Sequence, residues 1–196
     1  MEITSPDIVF RIREGGLPVP YPAVDRETED TSNYGYRMLK NRVEEISLVP
    51  ETRDDPALAE LLHVLNSEES PFFSIGCARW LKENEGLPWI SGYIEFSFNY
   101  LELTQDAQNY FRLFFEFHYF VRDQKSDLPV YFDWEIQGAT FGSRGHAGGY
   151  VLGIMINTQI GKDRTFVFDR WSSALKLISD FLRTRPNART GLTRIY

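Results

Sequence analysis

Cysteine is nearly missing from this chain: Cys77 is the only one in 196 residues. No internal disulfide can form, and zinc sites built on several cysteines are excluded. Histidine is scarce too. His63 falls on a predicted helix with no second ligand at helical spacing, so it reads as an ordinary surface or boundary residue. No apolar run approaches the roughly 20 residues needed to cross a bilayer. The first residues, with Glu2 and Asp7 around a short apolar run at 8–12, lack the basic and apolar regions of a secretory leader. A cytoplasmic protein without a membrane association is the expectation.

Aromatic residues are abundant. They make up 15% of the chain, and hydrophobic residues 42%. Side chains of this kind supply the burial that opposes ordering entropy, which excludes wholesale disorder. The length suits one good-sized core, so a single domain over 1–196 is expected, with an irregular arm at 14–33 and a mobile tail at 186–196.

The net charge of −7 conceals an asymmetry. Residues 1–70 hold 15 acids against 7 bases, residues 71–136 hold 10 against 5, and residues 137–196 hold 3 against 9. Such asymmetry steers partners without dictating a fold. Arg183, Arg185, Arg189 and Arg194 are not interleaved with aromatics, and single-strand binders need stacking platforms, so nucleic acid is disfavoured as a partner.

Residues 8–13 read as a first strand. Pro18, Pro20 and Pro22 lack amide donors, which argues against continuing it inside a sheet. Tyr36, Leu39, Val43 and Ile46 recur at helical spacing. A second helix opens at Asp55 as N-cap, with Pro56 at its first position and Leu58, Leu61, Leu62 and Leu65 as its stripe. Phe73, Ile75 and Cys77 begin a strand in which the thiol reads as a small buried hydrophobe.

The strongest pattern spans residues 90–122. Ile94, Phe96, Phe98 and Tyr100 alternate with Tyr93, Glu95, Ser97 and Asn99; Phe111, Leu113, Phe115, Phe117, Tyr119 and Val121 alternate with Arg112, Glu116, His118 and Arg122. Period two predicts an antiparallel hairpin with one apolar and one mixed polar face. Val130, Phe132, Trp134 and Ile136 predict another half-buried strand, residues 149–157 a doubly covered one, and 165–168 a short one. A last helix starts at Asp169 and ends before Pro186.

The fold class expected is α+β: an antiparallel meander of five to seven strands, with two helices from the N-terminal half and a C-terminal helix on its apolar face. The order of elements resembles the helix-grip lipid-binding fold. That resemblance implies an alternative function, the binding of a small hydrophobic ligand.

Three constellations are candidates for function. The glycine-rich stretch at 142–149 offers amides beside Arg144, Gly145 and His146 as a ligand loop, though it leads into a strand and matches neither standard phosphate fingerprint. It reads first as a hairpin connection. The polar face of the meander is the second. It would gather Glu95, Asn99, Arg112, Phe114, Glu116, His118, Tyr131, Asp133 and Glu135 into an acidic and aromatic surface. Aromatics mixed with acids exceed what solubility needs and often mark interaction sites. The third reads the same carboxylates and His118 as a metal or acid/base hydrolase site, with no motif to support it. The primary expectation is a non-enzymatic binding protein, of inhibitor or immunity type, that engages a partner protein with a basic surface. No cofactor and no metal ligand set is assigned.

Overall fold

Strand-forming alternation is realised most fully in the second half of the chain. In β4 (Val130–Phe141), Val130, Phe132, Trp134 and Ile136 are buried, while Tyr131, Asp133, Glu135 and Gln137 are half-exposed. In the computed structural model, which describes residues 6–23, 34–185 and 191–196, it pairs with β5 (Ala147–Thr158) along its whole length. Gly142–Arg144 forms a short 3-10 turn between them, followed by Gly145 and His146 at positive φ. The glycine-rich stretch is thus a hairpin connection. β2 (Phe72–Asn84) and β3 (Leu87–Phe98) form a second hairpin. Its turn places Glu85 and Gly86 at φ +52 and +79, the left-handed pair that a two-residue hairpin loop requires.

The architecture is α+β with a five-stranded mixed sheet in the order β1-β4-β5-β3-β2. The purely antiparallel meander is corrected at one edge. β1 (Asp7–Val19) lies parallel to β4; every other pair is antiparallel. β1 also runs through Pro18, which is tolerated because an edge strand can leave an amide position unused. Of the predicted irregular arm, residues 14–19 therefore belong to the sheet and 24–33 lie outside the described residues.

The larger correction concerns residues 110–122, which are helical. α1 (Pro56–Asn66) is the leucine-striped helix. Short α2 (Leu101–Thr104) precedes α3 (Ala107–Asp123), and α4 (Arg164–Arg183) closes the series. β3 and β4 both run antiparallel to the β5 between them, so they run parallel to each other. Parallel strands cannot be joined by a tight hairpin, and α3 makes the crossover. Asp106 caps it, accepting from the Gln108 amide at 2.9 Å. Tyr110, Leu113, Phe117 and Val121 form its buried stripe. Phe115 and Tyr119, which alternation would have placed inside, are 55% and 52% exposed.

Smaller differences lie elsewhere in the chain. The helix expected around 36–46 reduces to a 3-10 turn at Val43–Leu48. The strand expected at 165–168 is the first turn of α4, whose cap is Asp163 rather than Asp169; its carboxylate accepts from the Phe166 amide at 2.8 Å. Of the expected mobile tail, residues 191–196 are anchored. The Ile195 amide donates to the Asn99 carbonyl at 3.1 Å and the Tyr196 amide to Asn99 Oδ1 at 2.9 Å. Arg189 lies outside the described residues. No helix among the described residues is long and apolar enough to cross a membrane.

α1, α3 and α4 share one face of the sheet. Their stripes close over Ile90, Ile94, Phe132, Trp134, Ile154 and Ile156 in the main core. A smaller cluster of Val19, Phe73, Ile75, Ala139, Phe141, Val151 and Ile195 lies on the reverse face at one end, overlaid by Tyr21, Tyr36 and Tyr196.

Three elements are joined at Asp55. Its Oδ1 accepts from the Leu58 amide at 3.0 Å, capping α1; its Oδ2 accepts from Arg79 of β2 at 2.8 Å and from Trp171 Nε1 of α4 at 2.6 Å. Asp55 is 2% exposed, so its loss leaves a largely buried guanidinium and an indole N–H without their acceptor. Asp55→Ala is expected to lower the unfolding free energy by about 3–5 kcal/mol in urea titrations, with Asp55→Asn falling between it and the wild type. A loss below about 1 kcal/mol would contradict this role.

Candidate functional site

The helices leave the reverse face of the sheet open where the second cluster ends. Odd-numbered residues of β4 and their register partners line it. Glu135 of β4 and Glu95 of β3 both stand opposite Gly153 of the intervening β5. Gly153 has no side chain, and the Glu95 Cγ lies 3.6 Å from where its Cβ would be. On the other side Glu95 registers with Gly76 of β2, where a Cβ would meet Tyr21 Oη at 2.8 Å and Glu95 Oε2 at 3.2 Å. Glu95 therefore lies across a floor of two glycines, with Tyr93 and Tyr21 beside it. At Gly76 only glycine permits this close approach, whereas at Gly153 a Cβ would make ordinary contact with Glu95.

The three carboxylates on this face are not equivalent. Arg11 and Arg13 of β1 reach across from the edge: Arg11 Nε is 3.0 Å from Asp133 Oδ2 and Arg13 Nη1 is 3.5 Å from Glu135 Oε1. Glu95 has no such partner among the described residues. Burial raises its pKa above the ordinary 4.5; Arg13 opposes the rise and Glu135 adds to it.

Beyond Gly76 the open face runs into a groove of about 1010 Å³. One wall is the edge of β2 from Ser74 to Trp80; the other is the segment from Tyr34 to Leu39 with Arg42, Glu45 and Leu48 to Glu51. Tyr21 bridges the two, donating its hydroxyl to the Ile75 carbonyl at 3.0 Å. Glu51 projects into a half-buried position where desolvation raises its pKa. Cys77 lines the groove, and burial pushes its thiol well above the usual range, so it is no nucleophile.

The residues expected to share one surface are divided between two sides of the molecule. Tyr131, Asp133, Glu135 and Glu95 lie on the open face. Arg112, Phe114, Glu116 and His118 belong to α3, which covers the opposite face. Arg112 and His118 are exposed there, Glu116 pairs with Arg185, and Phe114 packs 5.0 Å from Phe10 and 5.9 Å from Trp134 by ring centroid. Asn99 is buried and holds the C-terminal residues. In the loop, Arg144 donates to the Arg194 carbonyl, and Gly145 and His146 are exposed. Among the described residues no three acidic, histidine or cysteine side chains gather as a metal site.

Arg11, Arg13, Tyr21, Glu51 and Trp80 had no place in the expected site. Gly76 and Gly153 carried the available signal, since an isolated glycine within a strand pattern marks a bulge or a close approach. The chain matches no protein-family model, no curated protein and no solved structure in the comparisons made.

Glu95 yields a pH prediction. A carboxyl whose folded pKa lies above its unfolded value contributes stability that is complete below the unfolded value of 4.5 and is lost as pH rises through the folded value. Glu95→Gln removes that loss. The variant is expected to melt at a higher temperature than the wild type at pH 7, with the difference vanishing at pH 4 and below. A variant no more stable at pH 7 would show that Glu95 is well solvated.

Proposed function

We propose that this chain is a non-enzymatic binding protein, of inhibitor or immunity type, that receives a basic surface of another protein. The working surface is the β2–β3 half of the open sheet face and the adjoining groove. One observation carries the reading: Glu95 and Glu51 lack cationic partners among the described residues, whereas Asp133 and Glu135 already have theirs in Arg11 and Arg13. Partly desolvated carboxylates framed by Tyr93, Tyr21 and Trp80 gain from an arriving cation, and tyrosine and tryptophan are favoured anchors at interfaces. A cytoplasmic setting belongs to this reading, because the chain's sole cysteine offers no intramolecular disulfide.

The division of residues between two faces disfavours the other functions considered. A hydrolase using Glu116 and His118 with Asp133 and Glu135 would have to act across the thickness of the sheet. A hydrophobic ligand held between the sheet and α4 would need space that side chains occupy. There Phe117 packs 5.0 Å from Trp134 and 5.2 Å from Phe181, with Trp171 fully buried nearby.

The test is affinity capture from native lysate with three immobilised proteins: wild type, Trp80→Ala/Glu95→Gln on the open face, and Phe115→Ala/Tyr119→Ala on the helical side. A protein of basic surface should be retained by the first and third and weakened at least about tenfold on the second, as loss of an interface anchor predicts. Equal retention by all three would remove the open face as the working surface.

A further inference from the structure

The sheet has two edges, and they are protected differently. At β1, the strand carries Pro18 and a register shift between Arg13 and Gly16, both of which discourage another strand from pairing. At β2, a register shift between Ser74 and Gly76 disturbs only the beginning of the edge. There the Ser74 amide donates to Asn66 Oδ1 at 3.1 Å, and the Ile75 carbonyl accepts from Tyr21. Farther along, the Ala78 carbonyl is turned toward Gly92 of β3. Alternation in an antiparallel ladder then turns the amides and carbonyls of Cys77 and Arg79 outward, into the groove. No described residue takes them up.

We propose that this groove receives an extended polypeptide segment, which adds to β2 as a sixth strand and sets a lysine or arginine side chain against Glu51. The inference rests on the basic-partner reading above and specifies how that partner is held. Main-chain pairing supplies the docking, and side chains of alternate residues enter the groove or face solvent.

Charge identifies the occupant. Three arginines line the groove, and each is engaged: Arg37 and Arg42 with Glu45 at 3.5 and 3.7 Å, and Arg79 with Asp55 at 2.8 Å. Glu51 is left as the carboxylate without a cation among the described residues. Because Arg37 and Arg42 share one carboxylate, the groove as a whole carries no negative excess; the pairing left open is local, at Glu51, which an arriving lysine or arginine completes and a second carboxylate would oppose. Tyr34, Trp80 and Tyr93 offer aromatic surface on which the methylene stem of a lysine or the plane of an arginine can lie. The seven residues from Ser74 to Trp80 span roughly 20 Å, enough for a strand of about six residues.

The experiment is a selection of phage-displayed random octapeptides on the full chain. The tightest sequence is then synthesised in three forms: unmodified, and N-methylated on either set of alternate amides. Selected sequences should be extended, β-prone and rich in lysine or arginine. Glu51→Gln should weaken the unmodified peptide by at least about tenfold. One N-methylated form should lose binding and the other retain it, because only one set of peptide amides faces β2. Hydrogen exchange at the Cys77 and Arg79 amides should slow on binding. If basic peptides emerge that depend on Glu51 but both methylated forms bind alike, strand addition is refuted and the basic-partner reading stands. If no peptide is enriched, or the enriched ones are acidic or indifferent to Glu51→Gln, the groove proposal falls, while the basic-partner reading is decided separately by whether Trp80→Ala/Glu95→Gln weakens capture.

Discussion

The bonds that converge on the Asp55 carboxylate determine where everything else can lie. One buried side chain caps α1, neutralises Arg79 on the sheet and accepts the indole proton of Trp171 on α4. Burying a charge is tolerated only when its hydrogen-bonding capacity is met, and here three elements meet it. The same junction orients Arg79 toward the helical layer, with its guanidinium over Phe168. That arginine is consequently unavailable to the groove. Glu51 thus keeps no ion-pair partner among the described residues, although an arginine lies on the neighbouring strand.

Asymmetric covering of the sheet follows from the connections. Three helices are placed on one face by the crossover between β3 and β4 and by the packing of α1 on α4. Among the described residues, the reverse face receives only chain segments near the two ends of the sequence: Tyr21 and Tyr36 from one side, Ile195 and Tyr196 from the other. These cover one end of the sheet, with Tyr21 reaching as far as Gly76 beside Glu95. What remains is a strip of glycines, carboxylates and aromatics bounded by the groove. Residues on such a surface are free to be selected for contact rather than for packing.

The legibility of the chain varied with how completely local pattern and tertiary environment agreed. β4 was readable because one side of it meets the core and alternation records that fact; β5 was readable as a strand from its apolar run, though its expected second cover is incomplete and leaves Met155 exposed. α1 was readable because Asp55, Pro56 and the leucine stripe all carry the same message. The stretch at 110–122 was misread because aromatic residues are dense enough to satisfy two periods at once. Phe111, Phe115 and Tyr119 kept the strand period, while Tyr110, Phe114 and Phe120 broke it and obeyed the helical one. That misreading carried Arg112, Glu116 and His118 onto the wrong side of the sheet. The part of the site on Tyr131, Asp133 and Glu135 kept its placement on a polar face, since it depended on β4 alone.

By itself, the sequence determined the elements whose burial is one-sided: an apolar stripe or an alternating strand is a local record of which side meets other protein. It also determined the excess of acid and the lack of a disulfide. Tertiary structure alone decided which strands are neighbours, and therefore that Arg11 and Arg13 pair with two carboxylates more than a hundred residues away while Glu95 and Glu51 have no ion pair among the described residues. Partnership between distant charges depends on strand order, and strand order is set by which packing of all elements buries the most apolar surface with every polar group satisfied. No window of sequence contains that comparison.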